Sequence, residues 1–177
     1  LSGDLMPKLI LIAGLPGAGK STLANQLTAQ GDRGVFLSLE SVREPILHGI
    51  LEGFTAELNR QLVDQRHAAS TQTIQYLAEG RDVVVEDVCL PPGFLAQFER
   101  EFRTALSLMV FLNPDEEVLR SRLEARGEAY DMNFLRTLPD MYLKTQRARW
   151  EGWQVLDTSE HSPDDTFAEV ALKLGWS

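Results

Sequence analysis

The chain has very little cysteine: of its 177 residues only Cys89 carries a thiol. A single cysteine excludes an internal disulfide and is typical of a reducing compartment. The sequence also lacks an apolar run of the ~20 residues that cross a bilayer, and its N-terminus has no basic region followed by an apolar core. We therefore expect a cytoplasmic protein without a membrane partner, in which Cys89 is a packed thiol.

Positive charge is scarce as well. The chain carries 17 Lys and Arg against 26 Asp and Glu, which gives a formal net charge of −9. Because nucleic-acid backbones attract basic surfaces, this balance disfavours a long nucleic acid as a partner. It still permits a small anionic ligand, since a local pocket of Arg and Lys can form on an acidic protein.

Repeats, low-complexity tracts and linkers are absent too. A length of 177 residues and a hydrophobic content of 44% predict one globular domain, which we place at residues 6–177. Residues 1–5 are interpreted as a remnant that precedes a natural start at Met6. The three histidines show no metal-ligand spacing, and we expect the domain to act as a monomer or a homodimer.

A complete phosphate-binding motif stands near the N-terminus. Residues 14–21 fit G-x-x-x-x-G-K-[ST], between a short apolar run and a helical pattern. Glycines permit a tight loop whose N–H groups point at phosphate oxygens, and the helix N-terminus adds positive charge. Lys20 would reach the β- and γ-phosphates, and the Ser21 hydroxyl would bind Mg²⁺. The predicted nucleotide-binding residues of this loop are Gly14, Leu15, Pro16, Gly17, Ala18, Gly19, Lys20, Ser21 and Thr22.

Strand and helix patterns alternate along the chain, which favours a parallel sheet wrapped by helices. Apolar runs predict strands at residues 8–13, 35–39, 82–88, 105–112 and 153–158. Helical spacing of apolar residues predicts helices at 21–30, 43–51, 55–79, 94–102, 114–126, 132–150 and 163–174, with a turn at 91–93 and a break at 127–131.

Acidic residues follow the predicted strands at the edge where ligands bind in such sheets. Glu40 ends the second strand and is placed to act as a general base, and Arg43 could orient the acceptor or the γ-phosphate. Glu86 and Asp87 end the third strand. At least one of them is predicted to hold Mg²⁺, directly or through water.

Arg122 and Arg126 lie four residues apart, so they share one face of a helix that leads to the break at Gly127. An arginine pair on a mobile segment could close over the phosphates and exclude water. We call residues 122–131 the lid segment. A second basic cluster, Lys144, Arg147 and Arg149, is interpreted as a solvated face.

The run GLPGAGKSTLA, the acid Glu40 with Arg43 three residues later, and the apolar strand ending in acids resemble the small P-loop kinases. The likeness is to the AAA-type group of chloramphenicol phosphotransferase, polynucleotide kinase and zeta toxin. It implies a P-loop NTPase fold, a three-layer α/β/α sandwich whose five-stranded parallel sheet has the order 2-3-1-4-5. In that group the residue matching Glu40 is usually Asp and acts as the base. The segment matching residues 157–163 lies against adenine, which implies nucleotide contacts at Asp157, Thr158 and Ser159.

A second likeness is carried by LEARGEAYDMNFLRTLPDMY, residues 123–142, which resembles the lid and following helix of deoxynucleoside kinases. That family also has Glu at the position of Glu40. This chain differs from it at Glu128, where a second Arg is usual, and at residues 86–88, where the family has an arginine.

The sequence thus predicts a kinase that moves the γ-phosphate of ATP, with Mg²⁺, to a hydroxyl of a small molecule. Two alternatives stay open: a (deoxy)nucleoside or nucleotide kinase, and a regulatory nucleotide-binding switch with slow ATP hydrolysis. A switch would be expected to carry a D-x-x-G motif, which the sequence lacks.

Overall fold

A computed structural model describes residues 6–88 and 106–176, without the side chains of Glu40, Val88 and Leu106. The predicted turn at 91–93, the predicted helix at 94–102 and Cys89 lie outside the described residues.

The described residues contain five strands, which form a single parallel sheet. They are β1 (Leu9–Gly14), β2 (Gly34–Ser38), β3 (Asp82–Val88), β4 (Leu106–Leu112) and β5 (Gln154–Leu156). Their order across the sheet is β2-β3-β1-β4-β5, which confirms the predicted topology. In the register, Ile12 of β1 and Ser38 of β2 both pair with Glu86 of β3, so the carboxyl ends of these strands lie side by side.

The described residues outside the sheet include helices. They are α1 (Lys20–Thr28), α2 (Arg43–Glu52), α3 (Ala56–Ala78), α4 (Glu116–Arg126), α5 (Ala129–Leu135), α6 (Leu138–Arg147) and α7 (Pro163–Lys173). A short 3-10 turn, Glu40–Val42, joins β2 to α2. Within the described residues, no helix has the length and apolar character needed to cross a membrane.

The region after α4 differs from the sequence prediction. A single helix over 132–150 is wrong, because α5 begins at Ala129 and ends at Leu135, and α6 starts separately at Leu138. Pro139 lies in the first turn of α6, where its missing N–H is tolerated; inside a continuous helix it would break the ladder of hydrogen bonds. The predicted break at 127–131 therefore shrinks to Gly127 and Glu128.

The core surrounds the central strands. Every residue of β1 is buried, and so are Val83–Val85 and Val110–Leu112, as expected for parallel strands covered on both faces. At the β4–β5 side the Phe111 ring stacks on Trp150 with 3.8 Å between ring centroids. Successive strand residues point to opposite faces of the sheet. In β3, Glu86 therefore points toward α1 and Asp87 toward α3.

Helix α7 begins with a reciprocal capping box. The Ser162 hydroxyl accepts a hydrogen bond from the Asp165 N–H at 3.2 Å, and the Asp165 carboxylate accepts one from the Ser162 N–H at 3.0 Å. Each bond satisfies a backbone donor that the helix itself leaves without a partner. The cap fixes the direction in which the chain enters α7 from β5.

We expect Ser162→Ala to lower the free energy of unfolding by about 1 kcal/mol, the usual cost of losing an N-cap side chain. Thermal denaturation should then show a melting temperature lower by about 2–4 °C. Ser121→Ala is the matched control, because Ser121 is exposed within α4 and Ala is the better helix former there. Equal melting temperatures for the two variants would contradict the role of the cap.

Candidate active site

A cavity of about 500 Å³ lies beyond the carboxyl ends of the strands. Its wall includes the glycine loop after β1, Glu86 from β3, Leu112 from β4 and the segment after β5. Four cationic side chains line it, namely Lys20, Arg43, Arg122 and Arg126. Although the chain as a whole is acidic, this cavity is therefore suited to an anionic ligand.

The glycine loop depends on backbone shapes that other residues rarely adopt. Gly17 and Gly19 have φ angles of +87° and +96°, in the left-handed region, and Gly19 is the N-cap of α1. A Cβ atom on Gly17 would lie only 3.3 Å from the Leu119 carbonyl oxygen, so glycine also permits the close approach of α4. The result is a tight loop at a helix N-terminus, an arrangement that binds phosphate groups.

Lys20 is buried in this loop, and its ammonium group donates a hydrogen bond to the Leu15 carbonyl oxygen at 3.2 Å. Burial lowers the pKa of Lys20; Glu86 opposes that shift, and Arg43 and Arg126 add to it. A polyphosphate bound in the cavity would reverse the effect, because negative charge beside the amine favours its protonated form.

Ser21, Ser38 and Glu86 form a cluster of oxygen ligands. The Glu86 carboxylate accepts hydrogen bonds from the Ser21 hydroxyl at 2.8 Å and from the Ser38 hydroxyl at 2.6 Å. Mg²⁺ prefers hard oxygen ligands and often takes only one or two from the protein, with water and phosphate completing its shell. Ser21 and Glu86 therefore fit this ion, although no group of three or more His, Cys, Asp or Glu forms a metal site among the described residues.

Asp87 lies apart from this cluster. Its carboxylate oxygen Oδ2 is 2.8 Å from Nε of Arg66 on α3, and both side chains are buried. The structure thus brings Glu86, rather than Asp87, to Ser21. The alternation of side chains along β3 explains the difference, and a metal-binding role for Asp87 stays a prediction that this geometry does not support.

The arginines of the lid segment both reach the cavity. Arg122 donates a hydrogen bond to the Gly17 carbonyl oxygen at 3.3 Å, which places its guanidinium against the glycine loop. Arg126 lies one turn later and donates to the Asp131 carboxylate at 2.9 Å. Arg43, from α2, lines the same cavity. Three arginines predicted from two separate patterns, Arg43 after β2 and the pair Arg122 and Arg126, therefore line one cavity.

Asp131 was not identified from the sequence, yet its carboxylate contacts two of these arginines. Its side chain is fully buried, and its Oδ1 atom is 2.9 Å from Arg126 Nη2 and 3.5 Å from Arg43 Nη2. Burial raises the pKa of Asp131, with Arg126 opposing. The neighbouring Tyr130 ring lies 4.3 Å from the Arg43 guanidinium, and burial raises the pKa of Tyr130 to about 12. An Asp inside a short helix gives no sequence pattern from which this role could be inferred.

The segment after β5 matches the adenine prediction only in part. Thr158 is buried and lines the cavity. Asp157 and Ser159 instead bond to each other, with the Ser159 hydroxyl donating to the Asp157 carboxylate at 2.5 Å. His161 and Pro163, within the predicted segment 157–163, also line the cavity. Cavity-lining residues that the sequence reasoning missed on this side are Gln26 and Thr166. They become neighbours only because α7 packs against α1.

Glu40 opens the 3-10 turn after β2, and its side chain lies outside the described atoms. Its backbone position is fixed by the Leu39 N–H, which donates to the Glu86 carbonyl oxygen at 3.0 Å. Leu39 and Arg43 on either side of it line the cavity. Its role as the base stays a prediction. In the second basic cluster, Lys144, Arg147 and Arg149 are exposed, in agreement with a solvated face.

The model of a family described as the AAA domain matches residues 9–152, most of the chain. The chain belongs to this family, as its resemblance to the small P-loop kinases predicted. No curated protein sequence matches it.

Solved structures of similar fold include two kinases and a resistance protein. A sugar kinase from a Janibacter species is 15% identical with a TM-score of 0.71, over 97% of this chain and 96% of that one. A gluconokinase from Sinorhizobium meliloti is 22% identical with a TM-score of 0.63, over 96% and 93%. The tunicamycin resistance protein of Deinococcus radiodurans is 16% identical with a TM-score of 0.65, over 97% of both. At these identities the likeness shows a shared P-loop fold.

We expect Lys20→Ala to weaken ATP binding and to lower turnover by about 10²-fold or more, because a preorganised cation is lost from a buried phosphate site. Titration calorimetry with ATP and steady-state kinetics measure the two effects. Lys144→Ala, which removes an exposed lysine, should behave as wild type. Near-normal ATP affinity and turnover in Lys20→Ala would contradict the phosphate-loop assignment.

Proposed function

We propose that this protein is an ATP-dependent kinase that transfers the γ-phosphate to a hydroxyl of a small molecule in the cytoplasm. The observation that carries the proposal is one cavity that joins a complete phosphate loop to three arginines and to the end of β2. Phosphoryl transfer requires little covalent chemistry from a protein, only positioning and charge stabilisation. A site rich in fixed cations supplies both.

In the proposed reaction the acceptor oxygen forms a bond to the γ-phosphorus while the bond from that phosphorus to the β,γ-bridging oxygen breaks. Glu40 accepts the hydroxyl proton, and ADP leaves with the bridging oxygen. Lys20 and the amides of the glycine loop hold the β- and γ-phosphates. Ser21 and Glu86 would hold Mg²⁺, which neutralises phosphate charge when bound.

The three arginines have different proposed roles because they lie at different positions in the cavity. Arg122 rests on the glycine loop and is placed to contact phosphate groups of the bound nucleotide. Arg126, with 43% of its side chain exposed, can meet the charge that develops on the transferred group. Arg43 follows Glu40 by three residues, so it can orient the acceptor beside the base. On the far wall, Thr158 and the residues of α7 would enclose the base and ribose of ATP.

A nucleoside or nucleotide acceptor is the second candidate, and the likeness of residues 123–142 to deoxynucleoside kinase lids favours it. An acceptor panel of sugars, aminoglycoside and phenicol antibiotics, nucleosides and nucleotides separates the candidates. ATP consumption that rises only with nucleosides or nucleotides selects the second. Slow ATP hydrolysis whose rate no acceptor changes would indicate the nucleotide-binding switch and would overturn the kinase proposal.

Glu40→Gln is expected to retain ATP binding and to lose phosphoryl transfer by about 10²–10⁴-fold, because the amide keeps the shape of the side chain but not its basicity. The measurement is kcat with the best acceptor of the panel, beside the dissociation constant for ATP. Glu52→Gln, on the exposed end of α2, is the control. An unchanged kcat with a lower affinity for ATP would instead indicate that Glu40 binds the metal or stabilises the fold.

Arg126→Ala is expected to lower kcat more than it raises the Michaelis constant for ATP, since its contact gains strength mainly in the transition state. Steady-state kinetics beside Arg149→Ala, an exposed arginine outside the cavity, provide the comparison. Small, equal effects in the two variants would refute the assignment of Arg126 to the site.

A further inference from the structure

One buried carboxylate lies between two cavity arginines that come from different parts of the chain. Asp131 belongs to α5, Arg43 to α2 and Arg126 to the last turn of α4. The two guanidinium groups approach the same oxygen, Asp131 Oδ1, at 3.5 Å and 2.9 Å. The Asp131 side chain has no exposed surface, so its charge acts in a poorly screened environment.

Further contacts hold Arg43 from the same side. Its guanidinium stacks over the Tyr130 ring at 4.3 Å and lies 3.9 Å from the Glu128 carboxylate. The segment from Glu128 to Asp131 therefore provides a ring face and two carboxylates to a side chain that belongs to another helix. Only 18% of the Arg43 side chain is exposed, whereas Arg126 keeps 43% of its side chain in water.

The charges in this region explain why a carboxylate is needed. Burial lowers the pKa of Lys20, and the nearby charges of Arg43 and Arg126 lower it further. Two guanidinium groups at one oxygen would repel each other without a counter-charge. A long arginine side chain also loses rotamer freedom when it is fixed in one geometry. An ion pair that fixes the arginine before a substrate binds removes this entropy loss from the free energy of binding.

We propose that Asp131 is a positioning residue that holds Arg43 and Arg126 at the cavity and thereby joins the lid segment to α2. The inference rests on the proposed function, because its kinetic consequence requires a phosphoryl transfer. Asp131 touches neither the nucleotide nor the acceptor in this scheme. It acts by fixing one arginine on the acceptor side and one on the lid side relative to each other.

Asp131→Asn tests the proposal, because the amide keeps the size of the side chain and removes its charge. We expect kcat to fall by about 10-fold or more, since misplaced charge groups cost that much in preorganised sites. The Michaelis constant for ATP should change by less than about 3-fold, because Lys20 and the loop amides remain. Asp140→Asn, an exposed Asp in the first turn of α6, is the matched control.

A second measurement does not depend on activity. Phenylglyoxal modifies accessible arginines, and mass spectrometry reports its rate at each site. In Asp131→Asn, modification at Arg43 and Arg126 should accelerate several-fold, while the exposed Arg149 keeps its rate as an internal standard. Asp131→Ser, a smaller uncharged residue, is measured alongside in case the Asn variant folds poorly, and circular dichroism verifies the fold of each.

A double variant checks whether Asp131 works through Arg126. If it does, the loss of kcat in the Asp131→Asn, Arg126→Ala double variant should be much smaller than the product of the losses in the two single variants. Fully multiplicative losses, or unchanged kcat and unchanged labelling in folded Asp131 variants, would overturn the inference. A wild type that transfers phosphate to no acceptor would count against the proposed function instead, and the labelling rates would still decide whether Asp131 holds the arginines.

Discussion

Glu86 accepts hydrogen bonds from Ser21 on α1 and from Ser38 on β2, and the site depends on this double contact. Through it one carboxylate of β3 fixes both the start of the helix that follows the glycine loop and the end of the strand that precedes Glu40. A buried carboxylate without such donors would be costly, so the two hydroxyls stabilise the charge as well as the geometry. The same oxygen atoms are then available, already in place, for a hard cation.

Charge is organised locally on a chain whose net charge is −9. Lys20, Arg43, Arg122 and Arg126 line one cavity, and each is held by a specific acceptor or counter-charge. Carbonyl oxygens of the glycine loop hold Lys20 and Arg122, and the Asp131 carboxylate holds Arg43 and Arg126. Cations that are fixed before the ligand binds need little rearrangement when charge develops on a transferred group, and this property suits phosphoryl transfer.

The buried pair of Arg66 and Asp87 shows how the sheet separates two adjacent acids. Glu86 and Asp87 are neighbours in sequence, but a strand turns them to opposite faces, one toward α1 and one toward α3. A buried ion pair of this kind is seldom a large source of stability, because desolvation opposes the attraction. Here it fixes α3 against β3, next to the strand end that carries the site.

Local features of the sequence predict the α/β fold class and the phosphate loop, namely continuous apolar runs, glycines at required backbone shapes, and the spacing of Lys20 and Ser21. The strand order was implied only by the resemblance to the small P-loop kinases, and the structure confirms it. Spacing also singled out Arg43, three residues after Glu40, and the pair Arg122 and Arg126 before Gly127, and all three line the cavity. Tertiary structure alone decided that α5 begins at Ala129, that Glu86 rather than Asp87 meets Ser21, and that Thr158 reaches the cavity while Asp157 and Ser159 do not. Asp131 belongs with these, because its role arises from arginines 5 and 88 residues away along the chain. Such contacts depend on how separate elements pack, and no local pattern in the sequence encodes them.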